Sequence, residues 1–232
     1  MDIEIIELKN VSIFDQLALE ETLLRKTDRN FCILNTGSSP AIVMGISGKV
    51  EELIHVNNTK ALGHPVIKRF SGGGTVIVDR DTLFVSFICN KKDFSFPGYP
   101  ERILSWSEEL FKECLSIKGF ALRENDFVIE HLKCGGNAQY ITKDRWVQHT
   151  SFLWDFCPTN MECLLHPKKT PSYREGRSHK EFLCTLKEHF DSKEHFFDGI
   201  ISGLSKKYSA QKSVPNFLEE GARISSQYID LP

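Results

Sequence analysis

Lys68-Arg69-Phe70-Ser71-Gly72-Gly73-Gly74-Thr75-Val76-Ile77-Val78-Asp79 decides how this chain is read. A triple glycine lets backbone approach a ligand closely and turn its N–H groups toward an anion, because no Cβ intervenes. Lys68 and Arg69 beside it carry the sign a phosphate needs. The β-rich segments Val66 to Arg69, Thr75 to Asp79 and Thr82 to Cys89 flank the glycines, so the loop joins two strands. A P-loop or dinucleotide turn would pass from strand into helix instead. A plain hairpin turn at Gly72 to Gly74 is the simpler alternative.

About sixty residues later stands a second glycine pair, Lys133-Cys134-Gly135-Gly136-Asn137-Ala138-Gln139. Lys133 precedes the two glycines in a strand-like stretch. Together the two segments read as a mononucleotide and acyl-group site.

Outward from these, residues 13 to 27 set Phe14, Leu17, Ala18 and Leu24 on a helical stripe, with Ser12 and Asp15 as caps. Phe31 to Asn35 and Ala41 to Ile46 read as strands joined by a turn at Gly37 to Pro40. Pro100 opens the best-defined helix, whose face is Ile103, Leu110, Phe111, Cys114 and Leu115, with Gly119 after its end. Phe127 to Ile129, Ala138 to Thr142 and Trp146 to Trp154 read as strands, and helices are expected near 178 to 190 and 194 to 207. Helices set between antiparallel strand pairs predict an α/β or α+β fold with a mixed central sheet.

The 232 residues, 41% hydrophobic, suffice for one large domain. With 29 basic against 31 acidic side chains, the charge balance gives no reason to expect nucleic acid or an anionic membrane as partner. No apolar run approaches the ~18 residues of a membrane span, and the acidic start Met1-Asp2-Ile3-Glu4 is unlike a targeting peptide, so the expected location is the cytoplasm. Seven scattered cysteines without C-x-x-C pairs suit a reducing compartment better than a disulfide framework. His131-x-x-Cys134 lacks a second pair to complete a zinc site, and no metal ligands are expected.

The ordered set Asp15-Gln16-Leu17-Ala18-Leu19-Glu20-Glu21, Pro40-Ala41-Ile42-Val43-Met44-Gly45, the glycine segment, Asn125-Asp126, Lys133-x-Gly135-Gly136-Asn137-Ala138-Gln139 and His149-Thr150-Ser151-Phe152-Leu153 resembles the lipoate-protein ligase A family, within the biotin/lipoate ligase superfamily. The resemblance covers roughly residues 5 to 205. It implies the catalytic-domain fold of that superfamily over 1–207, followed by a tail at 208–232 with no complete accessory domain. It implies a reaction in which lipoate and ATP, with Mg2+, form lipoyl-AMP. The acyl group then passes to a lysine on lipoyl domains of 2-oxoacid dehydrogenases or on the glycine-cleavage H protein, with or without a separate accessory subunit.

On the nucleotide side the resemblance points to Arg69, Gly74, Thr75, Val76, Ile77 and Lys133. On the lipoate side it points to Ser71, Gly72, Gly73, Lys133, Gly135, Gly136 and His149. Lys133 would be the essential lysine, with Asp79, Asn125 and Asp126 as supporting residues. Adenylation gathers negative charge at the α-phosphate, so preorganised cations and backbone donors would supply much of the catalysis. Asp79 and Asp126 equally suit turn capping, and His149 equally suits a hydrogen-bonded core position. Trp146/Trp154 and Phe84/Phe87 suit core or an apolar acyl tunnel.

The chain departs from the family pattern at Val78, where His is common, and at Ile46-Ser47-Gly48-Lys49. Two alternatives stand beside the ligase: a lipoyl- or octanoyltransferase using a preformed donor, through a cysteine such as Cys134 (beside Lys133) or Cys157, and a non-catalytic lipoyl-adenylate-binding module. The run Lys168, Lys169, Arg174, Arg177 is either basic docking surface or a solvated loop.

Overall fold

Ser12 accepts a hydrogen bond from the Asp15 amide and so starts the first helix, α1 (Ile13–Lys26), which follows strand β1 (Asp2–Leu8). The computed structural model describes residues 1–166, 170–214 and 224–232. Lys168, Lys169 and Pro215 lie outside the described residues. The chain continues through β2 (Phe31–Asn35), β3 (Ala41–Met44), the short helices α2 (Val50–Leu53) and α3 (Val56–Leu62), β4 (Val66–Lys68), β5 (Val76–Val78) and β6 (Thr82–Asn90). Helix α4 (Pro100–Leu115) precedes the meander β7 (Phe120–Arg123), β8 (Asp126–Ile129), β9 (Leu132–Ile141) and β10 (Arg145–Leu153). Short helices α5 (Pro158–Met161) and α6 (His179–Phe182), helix α7 (Lys193–Lys207), and strands β11 (Ser209–Lys212) and β12 (Gln227–Ile229) complete the order.

Eight strands form a mixed sheet in the order β11-β1-β2-β6-β10-β9-β8-β7, and four form a second sheet, β12-β4-β3-β5. The expected mixed α/β architecture is present. On one face of the large sheet, Ile3, Phe87, Phe127, Trp146 and Phe152 pack with Phe111 of α4 and Phe196 of α7. On the other, Phe31, Ile33, Phe84 and Val147 meet Leu17 of α1 and Val43, Ile67 and Phe70 of the small-sheet region. Residues β6 shares with both layers are buried throughout, which is why its sequence lacks the alternation of a half-exposed strand.

Some expectations are corrected. β4 and β5 both pair with β3 and not with each other, so the triple glycine crosses over a strand and is not a hairpin turn. β2 and β3 lie in different sheets although one short connection joins them. The helix expected near 178 to 190 is only His179–Phe182, because Leu183 bridges Lys133 of β9 and a 3-10 turn follows at Leu186–Glu188. Helix α4 is capped by Ser116 in the left-handed region (φ 52°), before Gly119 is reached. Strands β1, β7, β11 and β12 were not anticipated.

Candidate active site

The crossover loop between β4 and β5 is held by Arg69. Its guanidinium, 5% exposed, donates to the carbonyls of Val43 (3.2 Å), Gly72 (2.7 Å) and Gly74 (2.8 Å) and to Ser71 Oγ (3.0 Å). Burial brings its pKa down to about 10, with Glu20 acting in the opposite direction, so it remains a cation at neutral pH. Every one of these acceptors belongs to the loop or the adjoining strand. Arg69 therefore builds the loop from beneath.

Gly73 sits at φ +103°, and a Cβ there would stand 2.8 Å from Arg69 Nη2. Gly72 and Gly74 differ: a Cβ on either would meet nothing within 4 Å. The protein's own packing does not require glycine at those two positions, whereas a ligand lying against the backbone would. Thr75 Oγ1 beside them is buried without a hydrogen-bond partner in the structure.

A cavity of about 1200 Å³ opens over this loop. Its walls include Arg69, Gly72 to Val78, Asn125, Asp126, Lys133, Gly136 to Gln139 and His149. Two strands in antiparallel register thus deliver the second motif to the first, since Gly136 pairs with Ser151 and Ala138 with His149.

Lys133 Nζ lies 2.8 Å from Asp126 Oδ1, and the other Asp126 oxygen accepts the Tyr173 hydroxyl at 2.9 Å. Burial, then the Asp126 charge, push the Tyr173 phenol far up, so it stays a donor. Asp126 is thus in direct contact with the Lys133 ammonium. A Cβ at Gly136 would stand 3.3 Å from Lys133 Nζ, so that glycine leaves the ammonium its space. Asn137 braces the same strand, donating to the Asn125 carbonyl (3.0 Å) and accepting from Gln148 (2.7 Å) and Thr150 (2.8 Å).

His149 bridges two elements, with Nδ1 2.5 Å from Glu20 Oε2 and Nε2 2.9 Å from Ser71 Oγ. Glu20 is fully buried; burial alone would raise its pKa, yet the charge and hydrogen bond of His149, with Ser86 and Gln16, leave it lowered. Gln16 donates to Glu20 Oε1 at 2.8 Å. A polar chain therefore runs Gln16, Glu20, His149, Ser71, Arg69 beneath the glycine loop.

Three residues expected at the site lie off the cavity wall. Ser71 is buried under the loop within that chain. Gly135 faces the core, where a Cβ would strike Phe152 at 2.8 Å. Asp79 accepts from the Asp81 amide (2.9 Å) and from Asn160 (3.1 Å), which is turn capping. Of the aromatics, Phe84 lines the cavity while Phe87 and Trp146 are core.

A family model described as the lipoyl protein ligase A/B catalytic domain matches residues 12–207. The chain belongs to this family. Inactive lipoate–protein ligase 2 of Plasmodium falciparum (isolate 3D7) is 29% identical over 245 residues, covering 78% of this chain and 62% of that one. Lipoate-protein ligase LplJ of Bacillus subtilis (strain 168) is 27% identical over 179 residues, covering 76% and 54%. The chain thus spans 54% and 62% of these curated relatives' lengths. A crystal structure of lipoate-protein ligase A bound with ATP has the same fold, with a TM-score of 0.77 at 17% identity over 93% of this chain and 90% of that one.

In this lipoyl protein ligase A/B domain, Cys134 is 0% exposed, and its thiol is directed to the Phe127 carbonyl at 3.4 Å. Burial raises its pKa well above the usual thiol value, overriding the Lys133 charge that sequence suggested would favour the thiolate. Cys157 is exposed and does not line the cavity. Neither is presented as an acyl nucleophile. Arg174, read from sequence as loop surface, is 4% exposed, lines the cavity and stacks over Phe182 at 5.0 Å. Arg177 donates to the carbonyls of Arg174 (3.0 Å) and Tyr173 (2.6 Å). Glu20 and Tyr173 are the residues not singled out by role beforehand. Among the described residues no group of three or more His, Cys, Asp or Glu is placed to hold a metal ion, and no helix is long and apolar enough to cross a membrane.

Proposed function

We propose that this cavity carries out lipoate-protein ligation. The observation that carries the reading is the convergence of Lys133 with a glycine loop whose Gly72 and Gly74 leave open space against the backbone, in one cavity of about 1200 Å³. That volume exceeds the ~300–1,000 Å³ of an ordinary small-molecule pocket, as a nucleotide plus an acyl chain requires. The unpartnered Thr75 hydroxyl fits a nucleotide acceptor.

In the first step a lipoate carboxylate oxygen attacks the ATP α-phosphorus and pyrophosphate leaves. Two anions must approach, and the Lys133 ammonium, held by Asp126, supplies the charge that permits it. Loop N–H groups around Gly74 to Ile77 would donate to phosphate oxygens, and Arg174 is a second cation on the wall. Arg69 acts by shaping the loop. The cavity carboxylates are already engaged, Asp126 by Lys133 and Tyr173 and Glu124 by Ser172. Magnesium would therefore arrive on the phosphates, with those oxygens and water as its ligands. In the second step an acceptor lysine amine, on a lipoyl domain or H protein in the cytoplasm, attacks the acyl carbonyl carbon and AMP leaves. Residues 1–207 would be the catalytic domain.

A second reading is transfer from preformed lipoyl-AMP without the first step, favoured by the relative named as inactive and by the free approach to Gly72 and Gly74. Lys133→Met tests the assignment by mass-spectrometric detection of lipoyl-AMP. Loss of adenylate formation with an unchanged unfolding transition is expected, and a fully active variant would remove Lys133 from the chemistry.

A further inference from the structure

Leu183 forms a parallel bridge with Lys133, and the Cys184 amide donates to the Lys133 carbonyl at 2.9 Å. Cys184 and Cys134 are the residues that follow this isolated bridge, one on each segment. The Cys184 thiol is directed to the Leu132 carbonyl at 3.5 Å and the Cys134 thiol to the Phe127 carbonyl at 3.4 Å, and both side chains pack in the same hydrophobic cluster. A β-bridge holds two backbones at the ~4.8 Å spacing of paired strands, comparable to the roughly 4.4 to 6.8 Å between Cα atoms that a disulfide spans.

We propose that Cys134 and Cys184 form a reversible oxidative modification site, whose disulfide staples the 170–184 wall of the cavity to β9 next to Lys133. Thr170, Pro171, Arg174, Phe182 and Leu183 make that wall. Among the described residues its non-covalent ties include Ser172 to Glu124, Tyr173 to Asp126, Arg174 to His166, Arg177 to the His131 carbonyl, and Cys184 to Lys133. A covalent tie at Cys184 would hold Leu183 against Lys133 and impede ligand entry and release.

The chemistry needs a disulfide oxidant such as oxidised glutathione. The Cys184 thiol, half-buried where Cys134 is fully covered, is the point of attack. Its pKa is lowered, first by the neighbouring Cys134, against burial. The Cys184 thiolate displaces one glutathione thiolate to give a mixed disulfide. The Cys134 thiol loses its proton and displaces the second, so that one protein dithiol and one oxidised glutathione become one protein disulfide and two glutathione thiols. Of the other described cysteines, Cys32 and Cys89 are buried in the core and Cys157 is exposed, away from the cavity.

The functional consequence rests on the proposed ligase reading; the modification itself does not. The purified chain is incubated in glutathione buffers of increasing oxidised fraction, then alkylated, digested without reductant and mass-mapped. A Cys134–Cys184 cross-linked peptide two mass units below the sum of its thiol forms is expected, reversed by dithiothreitol and absent from Cys184→Ser. Formation of lipoyl-AMP should fall at least tenfold in the oxidised wild type, recover on reduction, and stay unaffected by oxidant in Cys184→Ser. Glutathione adducts at Cys157 alone, a different cysteine pair, or a cross-linked form of undiminished activity would overturn the inference. A cross-link that forms and reverses in a protein inactive under all conditions would uphold the modification and overturn the ligase reading.

Discussion

Replacing Arg69 with lysine separates a loop anchor from a phosphate ligand. In the structure the guanidinium makes four hydrogen bonds, three to carbonyls and one to Ser71 Oγ. A lysine ammonium has three donors radiating from one atom and cannot span acceptors spread around a planar fork. Gly74 is exposed and Gly72 half-buried, so their carbonyls can turn to water; the Val43 and Ser71 acceptors are buried and cannot. With ~1–3 kcal/mol for each of these two buried groups left unpaired, Arg69→Lys should cost about 2 to 6 kcal/mol. For a chain of 232 residues that is a fall in melting temperature of about 4 to 24 °C. Denaturant unfolding and a thermal scan measure the loss, and calorimetric titration with a non-hydrolysable ATP analogue measures binding. Weaker nucleotide binding should accompany the loss of stability. A variant within about 0.5 kcal/mol of wild type in stability, yet tenfold weaker for nucleotide, would show that Arg69 is a ligand and refute its anchoring role.

Glu20→Gln tests the buried pair beneath the loop. Because the folded-state pKa of Glu20 lies below its ordinary 4.5, its contribution is present above that pH and fades as pH falls through the folded value. The variant should be about 1–3 kcal/mol less stable at pH 7, with the gap closing below pH 4.5; a gap independent of pH would contradict an ionised Glu20. Tyr173→Phe removes only the hydroxyl on Asp126 and should lower the adenylation rate up to about tenfold at nearly unchanged lipoate KM. Wild-type rates would dismiss Tyr173 as a positioning residue. Gly45→Ala would bring a Cβ to 2.3 Å from the Gly73 carbonyl oxygen, a backbone atom that moves only with the loop. A cost of about 1–3 kcal/mol with reduced nucleotide affinity is expected, and a variant unchanged in both would contradict the close packing.

The mixed sheet was readable because the apolar segments of β2, β6, β8 and β10 and the stripe of α1 and α4 are local patterns. Lys133 and the glycines were readable because their chemistry sits within a few residues. What was hidden depends on distant pairing. The hairpin alternative for the glycine loop fails because β3, some twenty residues earlier, lies between β4 and β5. Tyr173 reaches Asp126 across 47 positions. The Glu20 role did leave a trace: Gln16 and Glu20 occupy the same face as Ile13, Leu17 and Leu24, where a charge must find a buried partner. The charge of Arg69 is visible in sequence while its burial is not, so its bonds to the loop carbonyls could not be read there.

The central claim is that Lys133 and the glycine loop form one acyl-adenylate site. Its most direct test follows acceptor modification by intact mass, with an apo lipoyl domain and either ATP, magnesium and lipoate or synthetic lipoyl-AMP as donor. Lipoylation from both donors, with lipoyl-AMP detected in the first and lost in Lys133→Met, is the predicted result. Modification from lipoyl-AMP alone would assign the chain to transfer without activation. No modification from either donor, together with no binding of lipoyl-AMP, would contradict the account.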